Sequence, residues 1–297
     1  MNTVSKSALQ TVHRSVLVVA DLEMNWMLFD YLVAKNWSVD YVAHNDLALA
    51  AVKRRPYDLV VTAEVSSARE DLDLLRRIRA VRPHTRMIVL TSYPTPKDTL
   101  AALREQAFSI FSKPYSLETL KAMIAIAMDA PCWDDGIEVV SATPAWIRLM
   151  IRCDLPSIER MVQFFQELAD LPALERTQVA TAFREMLLNA AGHGAGFDPQ
   201  EYVEVSYLRA KHAIACRVTD PGPGFNQSPN ALGSPNQHDG APEKEMEPAV
   251  PTASNRNFGI LVAQHFVDEL IYNEQGNEVL LIKYLQAPSL AMIPESY

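Results

Sequence analysis

Residues 184–194 have the sequence REMLLNAAGHG, which contains the most informative spacing in the C-terminal half of the chain. Glu185, Asn189 and His193 follow one another at intervals of four residues, so they lie on one face of a helix. An Asn side-chain oxygen is a hard neutral ligand suited to Mg²⁺, and a Glu one turn earlier can polarise a water or a hydroxyl. Taken alone, the pattern is equally typical of a helix whose polar face is solvated.

A second motif, VTDPGPGF at residues 218–225, follows a predicted strand. Asp220 at the end of this strand can accept a hydrogen bond from the exocyclic amine of adenine. Gly222 and Gly224 allow the backbone to approach a base and sugar, because glycine has no Cβ. A tight turn that uses proline and glycine for its geometry is the alternative interpretation.

A third motif, NFGI at residues 257–260, is predicted to open a helix. Gly259 at such a helix start can hold phosphate oxygens against free N–H groups and the helix dipole. An ordinary N-terminal glycine would give the same pattern. Residues 226–256, between the second and third motifs, are rich in Pro, Gly, Asn and Ser, which predicts a long lid or a disordered segment.

The order of these motifs resembles that of the GHKL superfamily. Residues 185–193 resemble its N box, residues 220–225 its first glycine box and Gly259 its second. The string NAxxHG and the closing segments VDEL and GNEVLLIKYL are most similar to the branch of serine kinases that act as anti-sigma factors. The resemblance covers residues 137–285 and implies an α+β Bergerat fold that binds ATP and Mg²⁺.

The resemblance also implies roles for single residues. Glu185 would be the general base of a kinase reaction. The nucleotide contacts would come from Asn189 as the Mg²⁺ ligand, from Asp220 as the residue that reads adenine, and from His193, Gly222, Gly224 and Gly259. The second glycine box departs from the family pattern, because Asn257 stands where GxG has its first glycine. No P-loop sequence GxxxxGK[ST] is present.

The N-terminal half alternates short apolar runs with amphipathic stretches. Continuous apolar runs separated by helical patterns predict a parallel α/β sheet that is covered on both faces. The predicted strands are Ser15–Ala20, Ser38–Val42, Asp58–Thr62, Arg86–Thr91 and Ser109–Phe111.

Residues 15–128 resemble the flavodoxin-like receiver domain of response regulators. The marker is the sequence FSKP at residues 111–114, with Thr91 at the end of the preceding strand. The acidic pair that follows the first strand of a receiver is reduced to Asp21, and the phosphoacceptor position, counted from Asp58, is occupied by Ala63. A methyl side chain cannot form an acyl phosphate, and a single carboxylate is a poor Mg²⁺ cage.

We therefore interpret Asp21, Thr91 and Lys113 as remnants of a receiver site, with Lys113 available for a salt bridge to Asp21. Glu64 is adjacent to the phosphoacceptor position, but a shift of one residue in a strand turns the side chain to the other face. The domain is predicted to be a pseudo-receiver that serves protein recognition or dimerisation.

Length and composition limit the number of domains and the kinds of partner and location that this chain can have. The 297 residues fit two domains, predicted at 1–130 and 137–297 with a linker at 131–136. The net charge of −9 and the lack of a dense Lys/Arg block argue against nucleic acid as a partner. Three widely spaced cysteines indicate reduced thiols, and no apolar run approaches the ~18–20 residues of a membrane span. We predict a cytoplasmic protein that does not contact a membrane.

Three functions remain open at this point. The first is an ATP-dependent serine/threonine kinase that phosphorylates another signalling protein, of the anti-sigma antagonist, sigma factor or sensor kinase class. The second is a non-catalytic switch in which nucleotide orders the lid and changes a partner surface. The third is a scaffold whose two halves are both degenerate. A homodimer is compatible with all three. A histidine kinase that phosphorylates itself is disfavoured, because the predicted helix at residues 155–168 contains no His.

Overall fold

The computed structural model describes residues 14–20, 30–63, 66–92, 94–129, 135–224 and 253–285, with the backbone alone at residues 63 and 253–257. The chain divides into two compact units, Met1–Pro94 with Glu105–Trp133 and Thr95–Arg104 with Asp134–Tyr297. Within the described ranges, no helix is long and apolar enough to cross a membrane.

The first unit contains a five-stranded sheet in which every neighbouring pair of strands is parallel, with the order β2-β1-β3-β4-β5. Its strands are β1 (Ser15–Ala20), β2 (Ser38–Val42), β3 (Leu59–Ala63), β4 (Arg86–Thr91) and β5 (Ser109–Ser112). The helices of the N-terminal half are α1 (Asn45–Arg54), α2 (Ala68–Val81), α3 (Pro96–Arg104) and α4 (Leu117–Asp129), and residues 30–34 are also helical. The predicted parallel α/β sheet is confirmed.

The central strands of this sheet are apolar on both faces because helices cover both faces. Every residue of β4 is buried, and alternate residues Ile88 and Leu90 lie in one core cluster with Val16 of β1 and Val61 of β3. Helix α2 begins three residues earlier than the pattern of apolar residues predicts. The reason is a capping box at Ser67, whose side chain accepts a hydrogen bond from the N–H of Glu70.

The second unit contains a six-stranded antiparallel sheet with the order β10-β11-β9-β8-β7-β6. Its strands are β6 (Ile137–Ala142), β7 (Trp146–Arg152), β8 (Tyr202–Arg209), β9 (Ala213–Thr219), β10 (Glu269–Tyr272) and β11 (Glu278–Tyr284). Three further helices are α5 (Leu155–Ala169), α6 (Ala173–Asn189) and α7 (Ala253–Phe266), and a π-helical turn at Ala190–Gly194 follows α6. The predicted α+β layer is confirmed.

Apolar and polar residues alternate along these strands, so one face of the sheet is buried in the core and the other is polar. Val203, Val205 and Tyr207 of β8 are buried, whereas Glu204 between them forms ion pairs with Arg148 at 2.8 Å and Arg217 at 3.1 Å. The buried face packs against helices α5 and α6, where the stacked rings of Phe165 and Phe183 contribute to the core.

Two predictions about the C-terminal helices are wrong. Helix α7 begins at Ala253 and not at Gly259, because the chain has neither proline nor glycine between residues 253 and 258 to break a helix. The last four residues of the predicted lid, 253–256, therefore belong to α7. The helix predicted to carry Glu185, Asn189 and His193 is regular only to Asn189, where hydrogen bonding changes to the wider π pattern.

A buried ion pair ties the start of the second unit to helix α5. Arg160 Nη2 lies 2.9 Å from Asp135 Oδ1, and the two side chains are 3% and 7% exposed. Because each charge is withdrawn from water, each depends on the other for compensation.

Cys153 and Cys216 are buried free thiols, whereas Cys132 lies outside the described residues. Burial, together with the nearby carboxylates of Glu201 and Asp154, raises the pKa of the Cys153 thiol to about 11. The thiol is therefore protonated near neutral pH and unsuited to act as a nucleophile.

Candidate functional site

The polar face predicted from residues 184–194 lies along the end of α6 and the π turn. Glu185 and Asn189 are half-buried on α6, and His193 is exposed on the π turn. Asn189 and His193 line one cavity in the second unit. Glu185 does not line this cavity, although it lies one helical turn from Asn189.

The cavity opens between α6, the π turn and the ends of three strands. It also receives Asp220 and Gly224 from the loop after β9. Together with Asn189 and His193, four of the predicted motif positions that precede the lid therefore line this cavity. The complete lining is Met186, Asn189, Ala190, His193, Gly194, Val218, Asp220, Gly224, Tyr272, Gly276, Asn277, Glu278 and Val279.

Asp220 is held at the end of β9 by its own backbone and side chain. Its N–H donates to the carbonyl of Asn277 at 2.9 Å, and its Oδ1 accepts from the N–H of Gly222 at 2.8 Å. A Cβ on Gly194 would lie 2.5 Å from Cβ of Asp220, and a Cβ on Gly222 would lie 2.8 Å from Cα of Gly194. Two glycines therefore allow the π turn to approach the carboxylate, and the need for Gly194 was not predicted from the sequence.

Gly224 joins the loop after β9 to the hairpin turn between β10 and β11. It has φ of +80°, and a Cβ at this position would lie 2.0 Å from the carbonyl oxygen of Gln275. Gln275 in turn donates from Nε2 to the carbonyl of Pro223 at 3.1 Å. The glycine is required by its conformation and by the close backbone approach.

Replacing Gly224 with alanine is expected to destabilise the second unit by about 2 kcal/mol or more, since a backbone clash adds to the strain of a positive φ. Gly196 is the matched control, because it has φ of +60° with open space around its Cα. Gly196→Ala should cost only about 1 kcal/mol of backbone strain. Urea denaturation of both variants measures the difference, and equal losses of stability would contradict the role of the close approach.

Gly259 lies against the middle of the polar face of α6, which the sequence did not predict. A Cβ on Gly259 would lie 2.7 Å from Glu185 Oε2 and 3.5 Å from Asn189 Nδ2. Because Gly259 is the seventh residue of α7, its N–H is not one of the free N–H groups at a helix start. The glycine instead makes room for the carboxylate of Glu185.

Asn189 Nδ2 is buried and has no hydrogen-bond partner among the residues that the structure describes. A buried amide without a partner is costly, so its presence beside a cavity favours a bound ligand or water at this point. The described residues contain no group of three or more His, Cys, Asp and Glu side chains arranged to hold a metal ion. A cation here would therefore take most of its ligands from water and from a bound anion.

Glu185 is part of a charged cluster with its neighbour in sequence. Arg184 Nη1 lies 3.6 Å from Glu185 Oε1, and Arg184 Nε donates to Glu159 Oε1 at 2.8 Å. The hydrogen bond to Glu159 is the main reason that the pKa of Arg184 is raised, so this guanidinium stays charged.

The cavity lining also contains residues that the sequence motifs did not indicate. Most of them belong to the C-terminal hairpin. Tyr272 donates from its hydroxyl to the sulfur of Met186 at 3.4 Å, and Asn277 lies opposite Asp220. The sequence Gln275-Gly276-Asn277 between β10 and β11 is the turn signal that could have placed Asn277 at a strand end.

Two of the three predicted receiver remnants, Thr91 and Lys113, lie at the carboxyl edge of the parallel sheet in the first unit. Ala63 ends β3 in register with Ala20 of β1 and Leu90 of β4. Thr91 is buried at the end of β4, and its carbonyl accepts a hydrogen bond from the N–H of Lys113 at 3.2 Å. Ala63, Thr91 and Lys113 therefore share one edge of the sheet.

Several predicted features lie outside the described residues. They are Asp21 with its salt bridge to Lys113, Glu64, the linker residues 131–134, residues 225–252 of the first glycine box and lid, and the side chain of Asn257.

Comparison with protein families agrees with both resemblances. Residues 151–283 match the family model described as a histidine kinase-like ATPase domain. Residues 16–125 match the family model of the response regulator receiver domain. The predicted fold classes of the two halves are confirmed by these matches together with the two sheets.

Curated relatives match the N-terminal part of the chain. The transcriptional regulatory protein GlrR of Escherichia coli (strain K12) is 26% identical over 123 residues, which are 40% of this chain and 28% of that protein. The transcriptional regulatory protein RprY of Bacteroides fragilis (strain YCH46) is 26% identical over 107 residues, 36% of this chain and 45% of that protein. The chain thus spans less than half the length of these relatives.

Two solved structures match a similar share of this chain. A response regulator from Thermotoga maritima is 23% identical, with a TM-score of 0.37 over 40% of this chain and 100% of that chain. A CheY-like response regulator receiver domain protein from Methanospirillum hungatei JF-1 is 20% identical, with a TM-score of 0.36 over 39% of this chain and 94% of that chain.

Proposed function

Because the chain joins a receiver domain to a histidine kinase-like ATPase domain, we propose that it is a signalling regulator that binds Mg-ATP and phosphorylates a partner protein on serine or threonine. The observation that best supports this proposal is the arrangement around α6. Asn189 and Asp220 line the same cavity, and Gly259 of α7 lies against Glu185 and Asn189.

The base would bind at the end of the cavity that contains Asp220. The Gly222 N–H holds Oδ1 of this carboxylate at 2.8 Å, which fixes the orientation of the acid before a ligand arrives. A carboxylate accepts hydrogen bonds only, so it would select an exocyclic amine over a carbonyl at the same place. Gly194 and Gly222 keep the neighbouring backbone close enough to enclose the base.

Asn189 would hold the metal at the other end of the cavity. The buried amide without a partner fits this role, because its oxygen can face a cation once the amide is reoriented. Bound Mg²⁺ would supply charge neutralisation at the phosphates. His193, exposed at the cavity rim on the π turn, would contact the nucleotide from the solvent side.

Glu185 would take the proton in phosphoryl transfer. The hydroxyl oxygen of the partner's serine or threonine would form a bond to the γ-phosphorus as the bond to the β-phosphate oxygen of the departing ADP breaks. The hydroxyl proton would pass to the carboxylate of Glu185. The close approach of Gly259 leaves Oε2 of this carboxylate against α7, next to the amide of Asn189.

A non-catalytic switch is the second candidate function. The carboxylate of Glu185 is engaged by Arg184, whose Nη1 lies 3.6 Å from Oε1, and it does not line the cavity. In this reading, nucleotide binding would change a partner surface without transfer of phosphate. Asn257 in place of the first glycine of the second box also favours this candidate.

The N-terminal domain would serve partner recognition, which includes a second copy of the chain. With Ala63 at the end of β3, the carboxyl edge of the sheet has no phosphoacceptor at the expected position. The input that this chain can use is therefore ATP rather than a phosphoryl group passed to its receiver. We place the protein in the cytoplasm, together with ATP and its signalling partner.

The Glu185→Gln variant is expected to bind Mg-ATP as tightly as the wild type, while label transfer from [γ-³²P]ATP to the partner falls about 100-fold or more. The amide keeps the size of the side chain but cannot accept the hydroxyl proton. Isothermal titration measures binding, and phosphoamino acid analysis after incubation with an extract of the source cells measures transfer.

Glu175→Gln is the matched control, since Glu175 lies in the first turn of the same helix, ten residues before Glu185 and away from the cavity end of the helix. ATP binding without transfer by the wild type would select the switch. A wild type that binds no ATP in the presence of Mg²⁺ would remove both candidate functions.

A further inference from the structure

Asp220 and Asn277 form a cross-strand pair that faces the cavity. The register of β9 and β11 pairs Val218 with Val279 and Thr219 with Glu278, and the N–H of Asp220 donates to the carbonyl of Asn277 at 2.9 Å. The next pair in this register is therefore Asp220 with Asn277.

Side-chain alternation assigns this pair to one face of the sheet. Val218 and Val279 are buried and line the cavity. The side chains of Thr219 and Glu278 are directed to the opposite face, although Glu278 also contributes to the cavity lining. On that face the Thr219 hydroxyl donates to Glu278 Oε2 at 3.3 Å, and Arg217 forms an ion pair with the same carboxylate. Asp220 and Asn277 return to the cavity face, and both belong to its lining.

The orientation of the Asn277 amide is determined by Asn273. Oδ1 of Asn273 accepts from the N–H of Gly276 at 2.7 Å and from the N–H of Glu278 at 3.2 Å. Since backbone N–H groups donate only, this atom must be the carbonyl oxygen, and the other branch of the side chain is the NH₂ group. That NH₂ donates to Asn277 Oδ1 at 2.8 Å.

It follows that Asn277 has its oxygen turned towards Asn273 and its NH₂ group available as a donor. Among the residues that the structure describes, no hydrogen-bond acceptor is assigned to this NH₂ group. The pair of cavity side chains thus presents a carboxylate acceptor from Asp220 next to an amide donor from Asn277.

We propose that Asn277 is a base-recognition residue that, together with Asp220, selects adenine over 6-oxopurines. This inference rests on the proposed ATP site. Adenine presents a donor at its 6-amino group and an acceptor at N1, which complements a carboxylate next to an amide NH₂. Hypoxanthine and guanine present the reverse order, an acceptor at O6 and a donor at N1.

The same geometry makes Asn273 a positioning residue. It does not line the cavity, and its effect on a base passes through the amide of Asn277. In the Asn273→Asp variant, one carboxylate oxygen can still accept from Gly276 and Glu278. The other oxygen can only accept, so the Asn277 amide must turn its NH₂ towards residue 273 and its oxygen towards the cavity.

The experiment compares the Kd values of Mg-ATP and Mg-ITP for the full chain by isothermal titration. The wild type is expected to bind ATP about 100-fold more tightly than ITP, because both hydrogen bonds are mismatched in hypoxanthine. Asn277→Leu should weaken ATP about 10-fold and leave ITP unchanged, so the ratio of the two Kd values falls about 10-fold. Asn273→Asp should lower the same ratio without a change in any residue of the cavity.

Thr219→Val is the matched control, because Thr219 lies on the same strand and on the opposite face. It should keep the wild-type ratio. ATP binding with an unchanged ratio in both Asn277→Leu and Asn273→Asp overturns this inference and leaves the proposed ATP site intact. A wild type that binds neither nucleotide overturns both, and the two failures are therefore distinguishable.

Discussion

Replacing Asp220 with asparagine is expected to weaken ATP binding about 100-fold. The amide oxygen can keep the hydrogen bond from the Gly222 N–H, which now holds Oδ1 at 2.8 Å. The NH₂ group then replaces the second carboxylate oxygen, so a donor faces the 6-amino group of adenine where an acceptor stood. Isothermal titration with Mg-ATP measures the loss.

The fold should tolerate this change, because the two side chains have the same shape and the backbone N–H of residue 220 keeps its bond to Asn277. Asp198→Asn is a suitable control, since Asp198 is exposed and only caps the N–H of Gln200 in a loop. An Asp220→Asn variant that binds ATP with the wild-type Kd would show that the carboxylate does not read the base.

Replacing Arg160 with methionine is expected to lower the free energy of unfolding by about 3–5 kcal/mol, because it leaves a buried carboxylate without its partner. Asp135 is 7% exposed, and the guanidinium of Arg160 lies 2.9 Å from it. Methionine keeps much of the packing volume, so most of the loss comes from the uncompensated charge. Hydrogen exchange of peptides from the second unit, followed in urea, measures the change in this unit alone.

The double variant Arg160→Met with Asp135→Leu should recover a large part of this loss, since no buried charge remains. Arg148→Met is the comparison at an exposed pair. Glu204 keeps its ion pair with Arg217 at 3.1 Å, and the expected loss is below about 1 kcal/mol. Equal losses for Arg160→Met and Arg148→Met would contradict the importance of burial at this pair.

Local periodicity predicted most elements of both units. Strands β1, β2 and β4 have the predicted bounds, because each is an apolar or alternating run with polar residues or turns at its ends. Two helix starts were not predicted from periodicity. The start of α2 depends on a capping box at Ser67, and α7 begins before its apolar pattern does.

The site was predictable where it depends on spacing within one element. Asn189 and His193 share a helical face at an interval of four residues, and Asp220 ends a strand; both features place side chains along one face or at one edge. The position of Ala63 at the end of β3, where the resemblance places a phosphoacceptor, also follows from counting along one strand. These are short-range properties, and the regular geometry of helices and strands carries them directly into the structure.

Contacts between distant elements could not be predicted from the sequence, because they depend on how the elements pack. The approach of Gly259 to Glu185 joins positions 74 residues apart, and the pairing of Asp220 with Asn277 depends on the register of β9 against β11. A change of one residue in that register, or a different crossing of α6 and α7, would leave every motif unchanged and separate these groups. The chain's motifs therefore predict the chemistry of the C-terminal unit, whereas the orientation of Asn277 and the close contacts around Glu185 arise only when the elements pack, because packing determines which side chains meet.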